Sequence, residues 1–208
     1  MSASEPALEA MRPRVVVGIS GASGAEIGIR LLDELRLLGA ETHLVVSRAG
    51  GMTVRQETDM SLQALRGHAA FSYAPSEIGA RIASGSFRTD GMVIAPCSVS
   101  TLAKVAQGID STLLTRAAHV TLKERRRLVL LLRESPLTLA DIRNMEVATL
   151  MGAVVALPVP SFYLRPASLG QAIDDIVART IEHLGLPAPG LRQWQGLDRS
   201  HSQQRTER

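Results

Sequence analysis

The apolar residues of this chain fall into two kinds of run, and their spacing predicts the elements. Val15, Val16, Val17, Gly18 and Ile19 are an unbroken apolar stretch, the pattern of a strand covered on both faces. Gly21, Ala22, Ser23 and Gly24 then turn the chain, and Leu31, Leu32, Leu35 and Leu38 recur at helical spacing. Strand, small-residue turn and amphipathic helix begin a βαβ unit. Thr42 to Val46 reads as a second strand, ending at Ser47 and followed by a helix through Val54 and Gln56. Met92 to Ala95, closed by Pro96 and Cys97, reads as a third, leading into a helix from Ser98 to Ala106. Leu128 to Leu132 and Ala153 to Leu157 complete a sheet of about five strands.

Two later helices carry their own punctuation. Thr138 with Asp141 three residues on resembles a capping box, and Gly152 stands where a helix-ending glycine would, so the spacing predicts a helix from Thr138 to Met151. Ser168 caps a final helix over Leu169 to Leu184, whose Ile173, Ile176, Val177, Ile181 and Leu184 form one stripe. Glu57 to Gly85 has only short apolar groups and no assigned element. Residues 1–12 read as a flexible extension, residues 13–186 as a single domain, and residues 187–208 as a polar C-terminal segment and flexible tail. Alternating strands and helices with right-handed crossovers give an α/β fold: a doubly wound, mainly parallel sheet with helices on both faces, a Rossmann-like or flavodoxin-like three-layer sandwich.

Composition narrows the function classes. A chain of 208 residues with 45% hydrophobic and only 3% aromatic content holds one core of closely packed small side chains. The formal charge of +3 is spread among acids without a basic block, which argues against nucleic acid. No apolar run approaches a membrane span, the first residues do not resemble a secretory signal, and the single cysteine, Cys97, forms no internal disulfide. The expectation is a cytoplasmic protein. The histidines show no metal-ligand spacing, and Cys97 reads as a small buried apolar residue.

In an open parallel sheet ligands bind beyond the carboxyl ends of the strands. Four loops fall there: Gly21 to Gly24, Ser47 with Arg48, Cys97 to Thr101, and Arg133 with Glu134. Glycines and hydroxyls at helix starts let backbone N–H groups reach an anion such as a phosphate. Tight strand-to-helix packing uses the same residues, so each loop alone leaves both readings open. The turn lacks the full GxGxxG spacing, which favours a mononucleotide over a dinucleotide.

Longer motifs carry a resemblance. GISGASGA at Gly18 to Ala25, ETHLVVS at Glu41 to Ser47, DGMVIAPCS at Asp90 to Ser98, LLTRAA at Leu113 to Ala118, RESPL at Arg133 to Leu137 and FYLRP at Phe162 to Pro166 together resemble the UbiX flavin prenyltransferase family, from about Val15 to Trp194. The resemblance implies an enzyme that joins a dimethylallyl group from dimethylallyl phosphate to N5 and C6 of reduced FMN. The prenylated FMN would pass to a UbiD-type decarboxylase, an FMN reductase would supply the reduced flavin, and the protein would be a homo-oligomer, a dodecamer, with sites near subunit boundaries. It implies FMN contacts at Gly21, Ala22, Ser23, Ser47, Ser98, Val99, Ser100, Thr101 and Arg133. The donor would meet Arg116, Lys123, Tyr163, Arg179 and Trp194, and catalytic roles fall to Glu134, Ser23 and Glu57.

The chemistry gives those residue types a purpose. A departing phosphate monoester carries about −1.5 to −2 charges at neutral pH, so several cations and a tyrosine hydroxyl are a proportionate clamp. Asp174 and Asp175 lack the second acidic cluster of a magnesium-binding DDxxD segment, which favours a metal-independent reaction. Ile27, Ser111, Thr112, His119 and Leu164 depart from the family pattern. Two other readings stay open: an FMN-dependent cysteine-type decarboxylase of the same fold, and a non-catalytic FMN-binding partner of a decarboxylase.

Overall fold

The structure, a computed structural model, describes residues 12–196; the loose extension expected before them and the last part of the expected tail lie outside the described residues. Six strands form one sheet: β1 (Arg14–Ile19), β2 (Glu41–Val46), β3 (Phe71–Tyr73), β4 (Gly91–Cys97), β5 (Arg127–Leu132) and β6 (Val154–Ala156). Their spatial order is β3-β2-β1-β4-β5-β6, and every pairing is parallel. The expected sheet of about five strands therefore gains β3. Three residues are too short to show a period, and they lie in the stretch left unassigned.

The continuous apolar runs resolve into two faces. Val15, Val17, Ile19, Val93, Ala95, Val129 and Leu131 face one core, and Val16, Met92, Ile94, Leu128, Leu130 and Leu132 face the other. The first core is covered by α1 (Ala25–Leu37), α2 (Arg48–Glu57), α3 (Leu62–Arg66) and α7 (Leu169–His183). The second is covered by α4 (Val99–Ala106), α5 (Leu113–Lys123) and α6 (Leu139–Leu150). Each fully buried Leu or Ile contributes about 1.5–3 kcal/mol, so two such layers hold the sheet between them.

Local signals set the element ends. Thr138 caps α6 with the expected capping box: its hydroxyl accepts from Asp141 N–H while Asp141 accepts from Thr138 N–H at 2.8 Å. Gly24 precedes α1 with φ of 105°, a left-handed conformation in which a side chain is strained. α6 buries little beyond Ala148 and leaves Leu139, Ile142 and Leu150 exposed. β4 runs through Pro96, where the sequence suggested closure; the register shifts between Ile94 and Cys97, which accommodates a residue without an N–H. The start of the segment expected as a polar tail packs on the body, with Ala188 against the first core, while Gln193 to Gly196 are exposed. No helix among the described residues is long and apolar enough to cross a membrane.

Candidate active site

The strand order reverses between β1 and β4, the place where open sheets of this kind bind ligands. Ser20 joins the two loops there. Fully buried, its hydroxyl donates to the Pro96 carbonyl at 2.9 Å and accepts from Ser98 N–H at 2.8 Å, while its own N–H donates to the same carbonyl. Sequence reasoning passed over Ser20, although a serine ending an apolar strand was the available signal.

Adjacent helix starts are capped by hydroxyls. Ser47 Oγ accepts from Gly50 N–H at 2.9 Å ahead of α2, and Ser98 Oγ accepts from Thr101 N–H at 3.3 Å ahead of α4, whose first turn holds Val99, Ser100 and Thr101. Arg133 follows β5, tied by its N–H to the Cys97 carbonyl at 3.0 Å with its side chain exposed. Glu134 comes next, half-buried, its Oε1 accepting from Ser135 N–H at 3.1 Å.

The start of α1 is not an open anion site. Glu57, at the end of α2, places Oε2 within 2.8 Å of Gly24 N–H and 2.9 Å of Ala25 N–H. A carboxylate is thus the anion at this positive helix end. Partial burial pushes the Glu57 carboxyl up, but the Ser23 hydroxyl, the Ala25 and Gly24 amides and the charge of Arg133 outweigh it and hold the group below its ordinary value. Ser23, Glu57 and Arg133 therefore sit in one electrostatic cluster.

Tyr163, Arg179 and Trp194 line a second cavity, of about 430 Å³, on the outer side of α7. Tyr163 stands in a short 3₁₀ turn at Phe162–Leu164 and meets the Trp194 ring edge-on at 5.2 Å. Arg179 pairs with Glu182. Arg116 and Lys123 do not join them within one chain. Arg116 binds Asp110 at 2.7 Å and the Ala83 carbonyl at 3.4 Å, and Lys123 pairs with Glu124 beside Gly85. The reason is topological: α5 lies on the opposite face from α7, and Lys123 ends it just before β5 begins, at the amino-terminal edge of the sheet. The expectation that all the donor residues face one pocket thus fails for the isolated chain.

Other candidates resolve plainly. Cys97 is buried, and burial pushes its thiol up to about 12, which removes it as a nucleophile. Asp174 and Asp175 are held by Arg30 and Arg192, so neither carboxylate is free for an ion. No cluster of metal-ligating side chains occurs among the described residues. The Ser47 and Ser98 hydroxyls at two helix starts and the Arg133 guanidinium form a donor set that fits a phosphate-bearing flavin along the strand ends, whereas the Glu57 carboxylate beside Ser23 only accepts.

Residues 3–184 match the Flavoprotein family. The flavin prenyltransferase UbiX of Neisseria meningitidis is 49% identical over 188 residues, covering 88% of this chain and 97% of that protein. This chain belongs to the UbiX-type flavin prenyltransferases. The UbiX protein of Escherichia coli K12 is 48% identical over 186 residues, covering 88% of this chain and 98% of its own. Among solved structures, AnUbiX (PadA1) in complex with FMN and dimethylallyl pyrophosphate superposes with a TM-score of 0.88 at 42% identity, covering 90% of this chain and all of that one. A dodecameric FMN-dependent UbiX-like decarboxylase from Escherichia coli O157:H7 superposes at 0.85 with 42% identity, covering 88% of this chain and 100% of its own. Cysteine decarboxylases such as SpaF, at 19% identity and a TM-score of 0.57, share the fold alone.

Proposed function

We propose that this chain transfers the dimethylallyl group of dimethylallyl phosphate to N5 and C6 of reduced FMN, with the prenylated flavin passing to a UbiD-type decarboxylase and an FMN reductase providing the reduced form. FMN supplies the nucleophilic positions; the chain supplies binding, charge and protons. Ser47, Ser98, Val99, Ser100, Thr101 and Arg133 hold the phosphate and ribityl end, and Gly21, Ala22 and Ser23 border the ring. Tyr163 and Arg179 bind the donor phosphate, and Trp194 covers the prenyl group. Glu134, one oxygen occupied by the Ser135 amide, offers the other for a proton to the leaving phosphate oxygen. Ser23, bonded to Glu57, relays a proton at the flavin edge.

The observation that carries this reading is the meeting of Tyr163, Arg179 and Trp194 in one cavity. That cavity also holds Asp175, Glu182 and Arg192, so its two acids balance its two arginines. A phosphate bearing nearly two negative charges needs further cations. Arg116 and Lys123 of another copy are suited to provide them, which supports a homo-oligomer, a dodecamer, with sites at subunit boundaries. The apolar side chains exposed along α6 fit the same picture. The protein is read as cytoplasmic.

The test is to mix purified protein with reduced FMN and dimethylallyl phosphate without air and to weigh the extracted flavin. A gain of one prenyl unit supports the reading; unchanged FMN with either the monophosphate or the pyrophosphate refutes it.

A further inference from the structure

Arg192 lies beyond α7 and has no part in the reaction as proposed, yet all three of its guanidinium nitrogens are engaged. Nε donates to Asp175 Oδ1 at 2.9 Å, Nη2 to Asp175 Oδ2 at 2.5 Å, and Nη1 to the Leu164 carbonyl at 3.3 Å. Asp175 is buried, its side chain 8% exposed, whereas its neighbour Asp174 is exposed and turned to Arg30 on α1. Asp175 precedes Arg179 by four residues, so the two stand one turn apart on the same face of α7. Leu164 directly follows Tyr163, and Trp194 lies two residues beyond Arg192. One side chain therefore ties together the helix bearing Arg179, the turn bearing Tyr163 and the segment bearing Trp194.

Exposed ion pairs contribute little, but this one differs in two respects. Its two parallel bonds fix geometry as well as distance, and loss of the arginine would leave a carboxylate buried without a partner. With its charge matched by Asp175, Arg192 is poorly placed to bind the donor phosphate and acts through its neighbours.

We propose that Arg192 is a positioning residue for the donor end of the site. Its bidentate pair with Asp175 and its bond to Leu164 latch residues 191–194 across α7, so that Tyr163 and Trp194 close over Arg179. The inference rests on the reading of that cavity as the dimethylallyl phosphate site.

Trp194 is the chain's single tryptophan and reports the latch directly. In the full chain with reduced FMN, Arg192→Met is expected to raise KM for dimethylallyl phosphate about tenfold, equivalent to 1.4 kcal/mol, with kcat and FMN affinity nearly unchanged. Trp194 emission shifts to the red, and its quenching by acrylamide about doubles on losing the covering contacts. Arg192→Lys keeps the charge and one bond and recovers part of both losses. Arg192→Met combined with Asp175→Asn is no worse than the poorer single variant, because both act through one pair. Unchanged KM and emission in Arg192→Met overturn the latch, and so does an FMN affinity that falls in step with KM. If the wild-type protein makes no prenylated flavin, the reading of the site fails on its own, and Trp194 emission and quenching alone decide the latch.

Discussion

At the carboxyl ends of the strands the chain satisfies its own polar groups: Ser20 bridges β1 and β4, Ser47 and Ser98 cap their helices, and Glu57 takes the amides at the start of α1. Around α7 the charged side chains reach outward, with Arg179 59% exposed beside Glu182 and Trp194 55% exposed over Tyr163. The first region is finished within one chain. The second is closed along one side by Arg192 and open along the other, with Arg116 and Lys123 remote on α5. On the proposed reading, a flavin end built this way is preorganised, whereas a donor end that borrows its cations would assemble only with the oligomer.

The largest effect should come from breaking the finished region. A Cβ at Gly50 would lie 2.4 Å from the Ile19 carbonyl oxygen and 3.0 Å from its carbon, backbone atoms of the strand that leads into the Gly21–Gly24 turn. Gly50→Val should cost about 3 kcal/mol or more and abolish FMN binding, read by thermal unfolding and flavin fluorescence. Next comes the unfinished region. Lys123→Ala and Arg179→Ala should each lower kcat/KM for the donor on the order of 100-fold while FMN stays bound. Dissociated, mixed and reassembled, the two variants should recover up to about a quarter of wild-type activity, the share of sites drawing both intact residues from different copies. No recovery would mean that one chain provides both cations and would remove the contrast between the regions.

How much of this was legible follows from range. Unbroken apolar strands, the Thr138 capping box and the Leu169 helix are patterns within about a dozen residues, and the fold followed from them. The position of the Gly21–Gly24, Ser47 and Cys97–Thr101 loops side by side was legible because strand ends in a parallel sheet converge by topology. β3 was not, since its three residues hold their place by pairing with His43 to Val45 and not by any period of their own. The Arg192–Asp175 pair was equally hidden: an arginine in a polar stretch gives no sign of the aspartate 17 positions earlier that will bind it. Arg116 and Lys123 matched the family motif in sequence but stand apart from Tyr163, Arg179 and Trp194 in the single chain, because a sequence motif does not record spatial proximity.

A smaller effect sharpens the contrast from the finished side. Glu57→Gln keeps an oxygen acceptor for the Gly24 and Ala25 amides but removes the charge at the helix start, which should cost about 1 kcal/mol at pH 7. Because folding lowers the Glu57 carboxyl from its ordinary 4.5, the wild-type advantage is complete above that pH and fades as pH falls through the lowered folded value. Urea unfolding of both proteins at pH 7 and at pH 3 checks this. A difference that persists undiminished in acid would show that the bond matters and the charge does not.

The smallest effect concerns His43, away from both regions, where β2 meets β3. Its buried ring lies between the Tyr73 hydroxyl at 3.0 Å from Nδ1 and Glu41 Oε1 at 2.9 Å from Nε2, stacked on Phe71. A neutral ring satisfies both partners, Nε2–H donating to Glu41 and Nδ1 accepting from Tyr73. Burial dominates and lowers the imidazole below its ordinary 6.5; Glu41 opposes the shift, and Arg14 and Arg81 add to it. Stability tied to His43 is therefore complete above 6.5 and lost as pH falls through the folded value. His43→Phe, which keeps the stacking surface, should flatten the fall in urea midpoint between pH 7 and about 5, leaving the share of His183, whose imidazole is lowered by its own burial. An unchanged slope would mean that the ring accepts its second proton without loss, and that Glu41 outweighs burial at the edge of the sheet.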